Sequence, residues 1–267
     1  MQLSALYHYP LKSARGQALR SSSVGLLGLE GDRRWMLVER DNGRFLTQRA
    51  YPQMSQLTAL HGAGGELTLE APGRPALQVA VPQADSDLRG VTIWRDSFRV
   101  PDAGDAAAQW LSEFIGKEVR LVHVPEQRTR FLPGGYGANN DRVAFADGFP
   151  LLLIGQASLD DLVQKVGRPL EMQRFRPNLV IEGAQAFAED SWKRIRIGEV
   201  EFRVLKPCER CILTTIDPQT GERSVDREPL TTLKTYRQKE GDVLFGQNLV
   251  ADGNGVLEVG MPVTVLE

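Results

Sequence analysis

The segment KPCERCILTT, residues 206–215, carries both cysteines of the chain in C-x-x-C spacing. Two thiols so placed can act as a redox pair, as half of a zinc site, or as one metal ligand beside a bystander. A thioredoxin-type pair opens a helix, whose N-terminus lowers the first thiol's pKa. Here ILTTID follows, a β-branched run that reads as a strand, and this argues against dithiol chemistry. A closed zinc site needs four ligands. His8, His61 and His123 are the other nitrogen or sulfur candidates, and none stands at a paired spacing. Two small core thiols remain the plain alternative. Against it, Lys206, Glu209 and Arg210 crowd the pair, and a thiolate beside Lys or Arg is stabilised in its metal-binding form. One cysteine ligating a metal that is held mainly by something else is the reading left.

Basic residues next to small polar ones could hold that other component. They occur as LKSARG (Lys12, Ser13, Arg15), GDRRW (Arg33, Arg34), TQR (Arg49), RFRPN (Arg174, Arg176, Asn178) and CERC (Arg210). Arg and Lys from separate loops can converge on a phosphate and a polar heterocycle, although a single surface Arg is usually a solvated charge. Arg176 precedes Pro177, which predicts extended backbone there. Ser158 is equally suited to N-cap the helix SLDDLVQKVG. Neither a Walker-type loop nor a strand-linked G-x-G-x-x-G is present.

The elements that must position these residues are mostly strands. RWMLVER and RFLTQR flank DNG, ELTLEA and ALQVAV flank PGRP, and VTIW and SFRV flank RDS, three hairpin patterns. DAAAQWLSEFIG predicts a helix with Asp105 as N-cap and Gly116 just past its end. Residues 125–142, rich in Gly, Pro and Asn, read as a loop between two lobes or beside a site. PLLLIG reads as a buried strand, PLTTLKTYRQ as a short helix, and NLVIEG, RIRIG, VEFRVL, NLVADG, GVLEVG and PVTVLE as strands. Many short strands with few helices argue for closed or nearly closed β-barrels. A net charge of -2 gives no global cationic character to favour nucleic acid or acidic lipid. The N-terminus lacks the apolar core of a signal peptide, and FPLLLIG is too short to span a bilayer. A cytoplasmic protein with reduced thiols is the expectation.

YPLKSARG, GDRRWMLV, FLTQRAYPQM, FADGFPLLLIGQASLDDL, FRPNLVIEGAQAFAEDSW, KPCERCILTTIDPQTG, PLTTLKTYR and FGQNL occur in the order seen in MOSC-domain proteins. The chain resembles the branch that contains the amidoxime-reducing components and their bacterial relatives. The resemblance covers nearly the whole chain. It implies a mainly β fold with a few short helices: a β-barrel-like MOSC-associated domain over 1–124, a MOSC β-barrel over 125–267, and a cofactor cleft between them. It implies the molybdenum cofactor, with Cys211 as the protein's metal ligand and catalytic residue. Cofactor contacts would fall on Lys12, Ser13, Arg33, Ser158, Arg176, Asn178, Glu209 and Arg210, with Arg49 and Thr214 added by position within matched segments. Glu209 stands where the family often has Ser. A carboxylate beside an anion needs a basic neighbour, and its backbone could contribute instead. The implied reaction removes oxygen from N-hydroxylated compounds, such as amidoximes and base analogues, at molybdenum. A cofactor or sulfur carrier without catalysis is the alternative. Two cysteines fall short of the four thiolates of a [2Fe-2S] cluster, so electrons would come from a separate ferredoxin-type protein or flavoprotein, or from a further domain outside this sequence.

Overall fold

The computed structural model describes residues 1–132, 134–138 and 140–267. The protein is mainly β, with three α-helices among the described residues. Its largest sheet runs Gln17–Leu19, Gln2–His8, Leu179–Glu182, Leu151–Gly155, Asp242–Ala251, Val200–Glu209, Arg194–Ile197 and Val263–Val265, with Gln238–Lys239 paired to the start of Asp242–Ala251. Hydrogen bonds from Leu3 N to Met261 O (2.9 Å) and from Val263 N to Met1 O (3.0 Å) bring the last strand back to the first. The path of strands therefore returns on itself.

Alternation along these strands separates two cores. Leu151, Leu153, Leu179 and Ile181 face inward with Leu3, Leu6, Phe202 and Leu249. Ile154 and Val180 face outward and are covered by Leu159 and Leu162 of the helix Gln156–Val166, and by Leu230 and Leu233 of Leu230–Tyr236. Both faces are buried, which is why PLLLIG is apolar without alternation. A third core joins Leu11, Trp35, Leu37, Leu57, Leu69 and Leu121 with Leu111 of the helix Asp105–Ile115.

The strand Gln2–His8 pairs antiparallel with Leu179–Glu182, so the chain starts on the sheet of its second half before building the other lobe. The hairpins Leu67–Glu70/Leu77–Val79 and Leu88–Ile93/Asp96–Pro101 form as read from sequence. The DNG turn also forms, with Gly43 at φ 67°. Its return limb holds only bridges, Phe45 to Val38 and Arg44 to Thr92, because Trp35–Glu39 pairs with Val119–His123 instead. The helix Asp105–Ile115 is N-capped by Gly104 rather than Asp105. Asp102 accepts from Gly104 N, and Asp105 in the first turn pairs with Arg120, where a carboxylate suits the helix dipole. Within 125–142, Arg130–Phe131 pairs with Arg142–Val143, so this stretch is more than a loop; residues 133 and 139 lie outside the described residues.

Candidate functional site

ILTTID is not a strand: Ile212–Thr215 forms a 3₁₀ turn. Thr214 Oγ1 donates to Cys211 O (3.0 Å) and Thr215 Oγ1 to Ile212 O (2.7 Å), so hydroxyls compete with sheet pairing. The preceding strand, Val200–Glu209, pairs with Asp242–Ala251, and its register shifts between Pro207 and Glu209. Cys208 sits in that irregularity, the kind of bulge that re-aims a side chain. Arg210 N then donates to Val243 O (2.7 Å) and the chain turns, leaving Cys211 exposed and Cys208 half-buried. Burial pushes the Cys208 thiol's pKa up against the pull of Arg210.

Both cysteines open onto a cleft with about 880 Å³ of empty space, part of it open solvent. Residues of both halves line it: Lys12, Ser13, Arg33, Thr47 and Arg49, then Asp147, Phe149, Phe175, Arg176, Asn178, Glu209, Arg210 and Thr214. Every cofactor contact that the resemblance implied is there except Ser158, whereas Arg15, Arg34 and Arg174 of the basic segments do not line it. Ser158 is fully buried in the first turn of Gln156–Val166, where it donates to Glu189 Oε1 (2.7 Å) and accepts from Phe187 N (2.7 Å). It neither lines the cleft nor caps the helix, whose N-cap is Gly155. Its hydroxyl holds Glu189 over that helix end.

Leu11 bridges Trp35, and Lys12 N donates to Trp35 O, which brings Lys12 and Arg33 side by side at the cleft floor. Lys12 Nζ is buried and donates to Phe145 O (2.7 Å) and Asp147 Oδ1 (2.5 Å). Burial lowers its pKa to about 8, against the opposing pull of Asp147. The Asp147 side chain is 65% exposed at the cleft rim; the protein on its inner side opposes its charge, yet Lys12 and then Arg49 hold its carboxyl below the usual range. Arg33 and Arg176 stack on Tyr9, at 4.3 and 4.2 Å. Burial and the neighbouring Arg33 lower Arg176 to about 10. Arg33 donates to Asp32 and to Asn178 Oδ1 (3.0 Å), while Asn178 Nδ2 donates to Tyr7 O (3.1 Å). The Asn178 amide is thereby spent within the protein, and it positions Arg33. Arg210 is similarly committed, donating from Nε to Phe245 O and from Nη1 to Phe175 O, with Nη2 buried and unpaired. Glu209 has the basic neighbour that a carboxylate here requires, Lys206 at 2.5 Å.

Arg176 does not take the extended backbone expected before proline. It is left-handed (φ 55°, ψ 44°), as the C-cap of the 3₁₀ turn Met172–Phe175, with its guanidinium donating to Ala14 O (2.8 Å). Ser13 (φ 67°) and Arg33 (φ 47°) are left-handed too. Strained backbone at three cleft residues is the kind of cost that folds retain at functional sites. Among the described residues, Arg49, Arg176 and Arg210 have no carboxylate within ion-pair distance, and Cys211 is the more accessible of the two thiols that line the same cleft. His8 and His61 also meet in space, with rings 6.2 Å apart. No group of three or more His, Cys, Asp and Glu that could hold a metal is present among the described residues.

Asp147, Thr47 and Phe149 were not singled out from sequence. Asp147 lies in FADGF, a turn beside the interlobe segment, and an acid in such a turn signals solvent as readily as a site.

Residues 1–118 match the family model for the MOSC N-terminal beta barrel domain, and residues 140–264 that for the MOSC domain. The chain is 34% identical to mitochondrial amidoxime-reducing component 1 of Danio rerio over 280 residues, 98% of this chain and 83% of that protein. It is 34% identical to the Homo sapiens protein of the same name, over 99% of this chain and 82% of that one. It is 32% identical to molybdenum cofactor sulfurase of Oryza sativa subsp. japonica, over 92% of this chain and 32% of that protein. No helix among the described residues is long and apolar enough to cross a membrane.

Proposed function

The chain belongs to the MOSC family, and from that premise we propose that its cleft holds a molybdenum cofactor and reduces N-hydroxylated compounds, amidoximes and N-hydroxylated base analogues among them. The observation that carries this reading is the convergence of an exposed thiol, Cys211, with cations lacking carboxylate partners in one cleft between the lobes. The donor set fits the group. A pterin phosphate carries close to two negative charges, and Lys12, Arg33, Arg49 and Arg176 offer charge, Arg33 and Arg176 from left-handed backbone.

In this assignment Cys211 supplies the soft thiolate. Lys12 stays protonated below about pH 8 and presents its charge to the phosphate, while the Ser13 hydroxyl is a donor beside it. Asn178 acts by orienting Arg33, Thr214 by fixing the carbonyl of Cys211, and Arg210 by clamping the turn on which Cys211 sits. Glu209 contributes its backbone, since Lys206 occupies its side chain. Ser158 has no direct contact in this assignment. The bound cofactor would supply the oxygen-atom and electron chemistry, as cofactors do where protein supplies orientation and electrostatics. A division into domains 1–124 and 125–267 and a cytoplasmic location belong to the same proposal, the latter tested by cell fractionation. Electrons would come from a separate ferredoxin-type protein or flavoprotein, so NADH or NADPH alone should start no turnover.

The test is molybdenum analysis of protein made in a cofactor-competent host, with benzamidoxime reduction driven by dithionite and a viologen dye. Retained molybdenum with turnover supports the reductase. Molybdenum without turnover moves the reading to a cofactor or sulfur carrier, which the sulfurase relative favours. Absence of molybdenum removes both.

A further inference from the structure

The hairpin Leu88–Ile93/Asp96–Pro101 turns on two residues, Trp94 and Arg95. Trp94 has φ 54°. Such positions in two-residue turns favour Gly, Asn or Asp, and a bulky residue there is an outlier. The ring is not recovered as core either, for Trp94 is 48% exposed. Its contacts are instead with the cleft. Indole Nε1 donates to Asp147 Oδ1 (3.2 Å), and the Arg49 guanidinium lies 5.0 Å from the ring centroid; both partners line the cleft. Phe45 meets the ring edge-on at 5.1 Å and sets its tilt. A second aromatic, Phe149, lines the cleft itself and is backed by Tyr136 at 5.8 Å. A strained, half-exposed aromatic whose polar tip is tied to the site is a surface kept for something planar.

We propose that Trp94 is a specificity-determining wall at the cleft mouth, stacking on the aryl or heteroaryl group of an N-hydroxylated substrate and giving aliphatic ones no help. This rests on the reading of the cleft as the site of reduction. The Arg49 and Asp147 contacts fix the ring beforehand, so little side-chain freedom is lost on binding.

The cofactor-loaded full chain is assayed with dithionite-reduced viologen, which removes any effect of a docking redox protein. Trp94→Ala should raise KM for benzamidoxime roughly five- to tenfold, the size of an aromatic stacking contact, and KM for acetamidoxime by less than about twofold. Trp94→Phe should restore most of the difference. Cofactor-free Trp94→Gly should melt no lower than the wild type, because glycine takes positive φ freely. Equal KM losses on both substrates, a loss confined to kcat, or a lower melting point in the glycine variant would each make Trp94 a strut and overturn the proposal. Calorimetric titration of benzamidine into loaded wild type and Trp94→Ala tests the contact without turnover. Weaker binding by the variant upholds the wall even if reduction itself fails, and equal binding overturns it.

Discussion

Replacing Lys12 with Met should change stability in a way that depends on pH. The ammonium lies between the Phe145 carbonyl and the Asp147 carboxylate, and burial draws its pKa from 10.5 to about 8. At pH 7 it is protonated in the folded and the unfolded chain alike. The folded state then carries the full penalty, about 3 kcal/mol at 1.36 kcal/mol per pKa unit. As pH rises past 8 the folded chain gives up this proton first. The unfolded chain then binds more protons, and stability rises until both states are neutral above 10.5. Methionine abolishes that titration but leaves the Phe145 carbonyl without its donor, a cost of about 1–3 kcal/mol. The two effects nearly offset at pH 7, so the diagnostic is the slope. Urea unfolding of cofactor-free protein at pH 7 and 9.5 should show the wild type gaining about 2 kcal/mol relative to Lys12→Met. Phosphate affinity at pH 7 should fall in the variant. A stability difference that stays constant over this range would refute the buried, depressed ammonium.

The two cysteines should behave unequally: Cys211→Ser should bring benzamidoxime reduction to background and weaken molybdenum retention, whereas Cys208→Ser should cost mainly packing. Loss of activity only in the Cys208 variant would reverse the ligand assignment, and a disulfide formed during turnover would revive the dithiol reading. Arg176→Lys gives up the flat stack on Tyr9, so cofactor occupancy should drop while the cofactor-free melting point stays nearly unchanged. Full occupancy with a lowered melting point would make Arg176 an interlobe strut. Ser158→Ala should lower stability by about 1–3 kcal/mol in urea unfolding, through the Phe187 amide left without this acceptor and the Glu189 carboxylate left with Gly155 N alone, without changing molybdenum content. Lost molybdenum with unchanged stability would return Ser158 to the cofactor site.

Sequence alone determined what short-range chemistry controls. Gly116 and Gly167 ended their helices in left-handed conformation, and Pro-Gly and Asp-Ser marked hairpins that formed. The resemblance carried by the ordered segments also named ten residues that line the cleft, because the family's motifs fix which positions in those segments to read. Tertiary structure decided what depends on partners distant in the chain. ILTTID has strand-forming residues, but the preceding strand Val200–Glu209 ends where the chain turns after Arg210, and its threonine hydroxyls closed a turn instead. Ser158 was drawn from the cleft by Glu189, 31 residues away, and Arg176 left extended geometry to lie on Tyr9. Asp147 joined the cleft lining, and Trp94 reached Asp147 and Arg49, only through contacts between segments distant in the chain. The spacing of two cysteines is written in the sequence, but their inequality is not: a register shift in one strand half-buries Cys208 and leaves Cys211 open to the cleft.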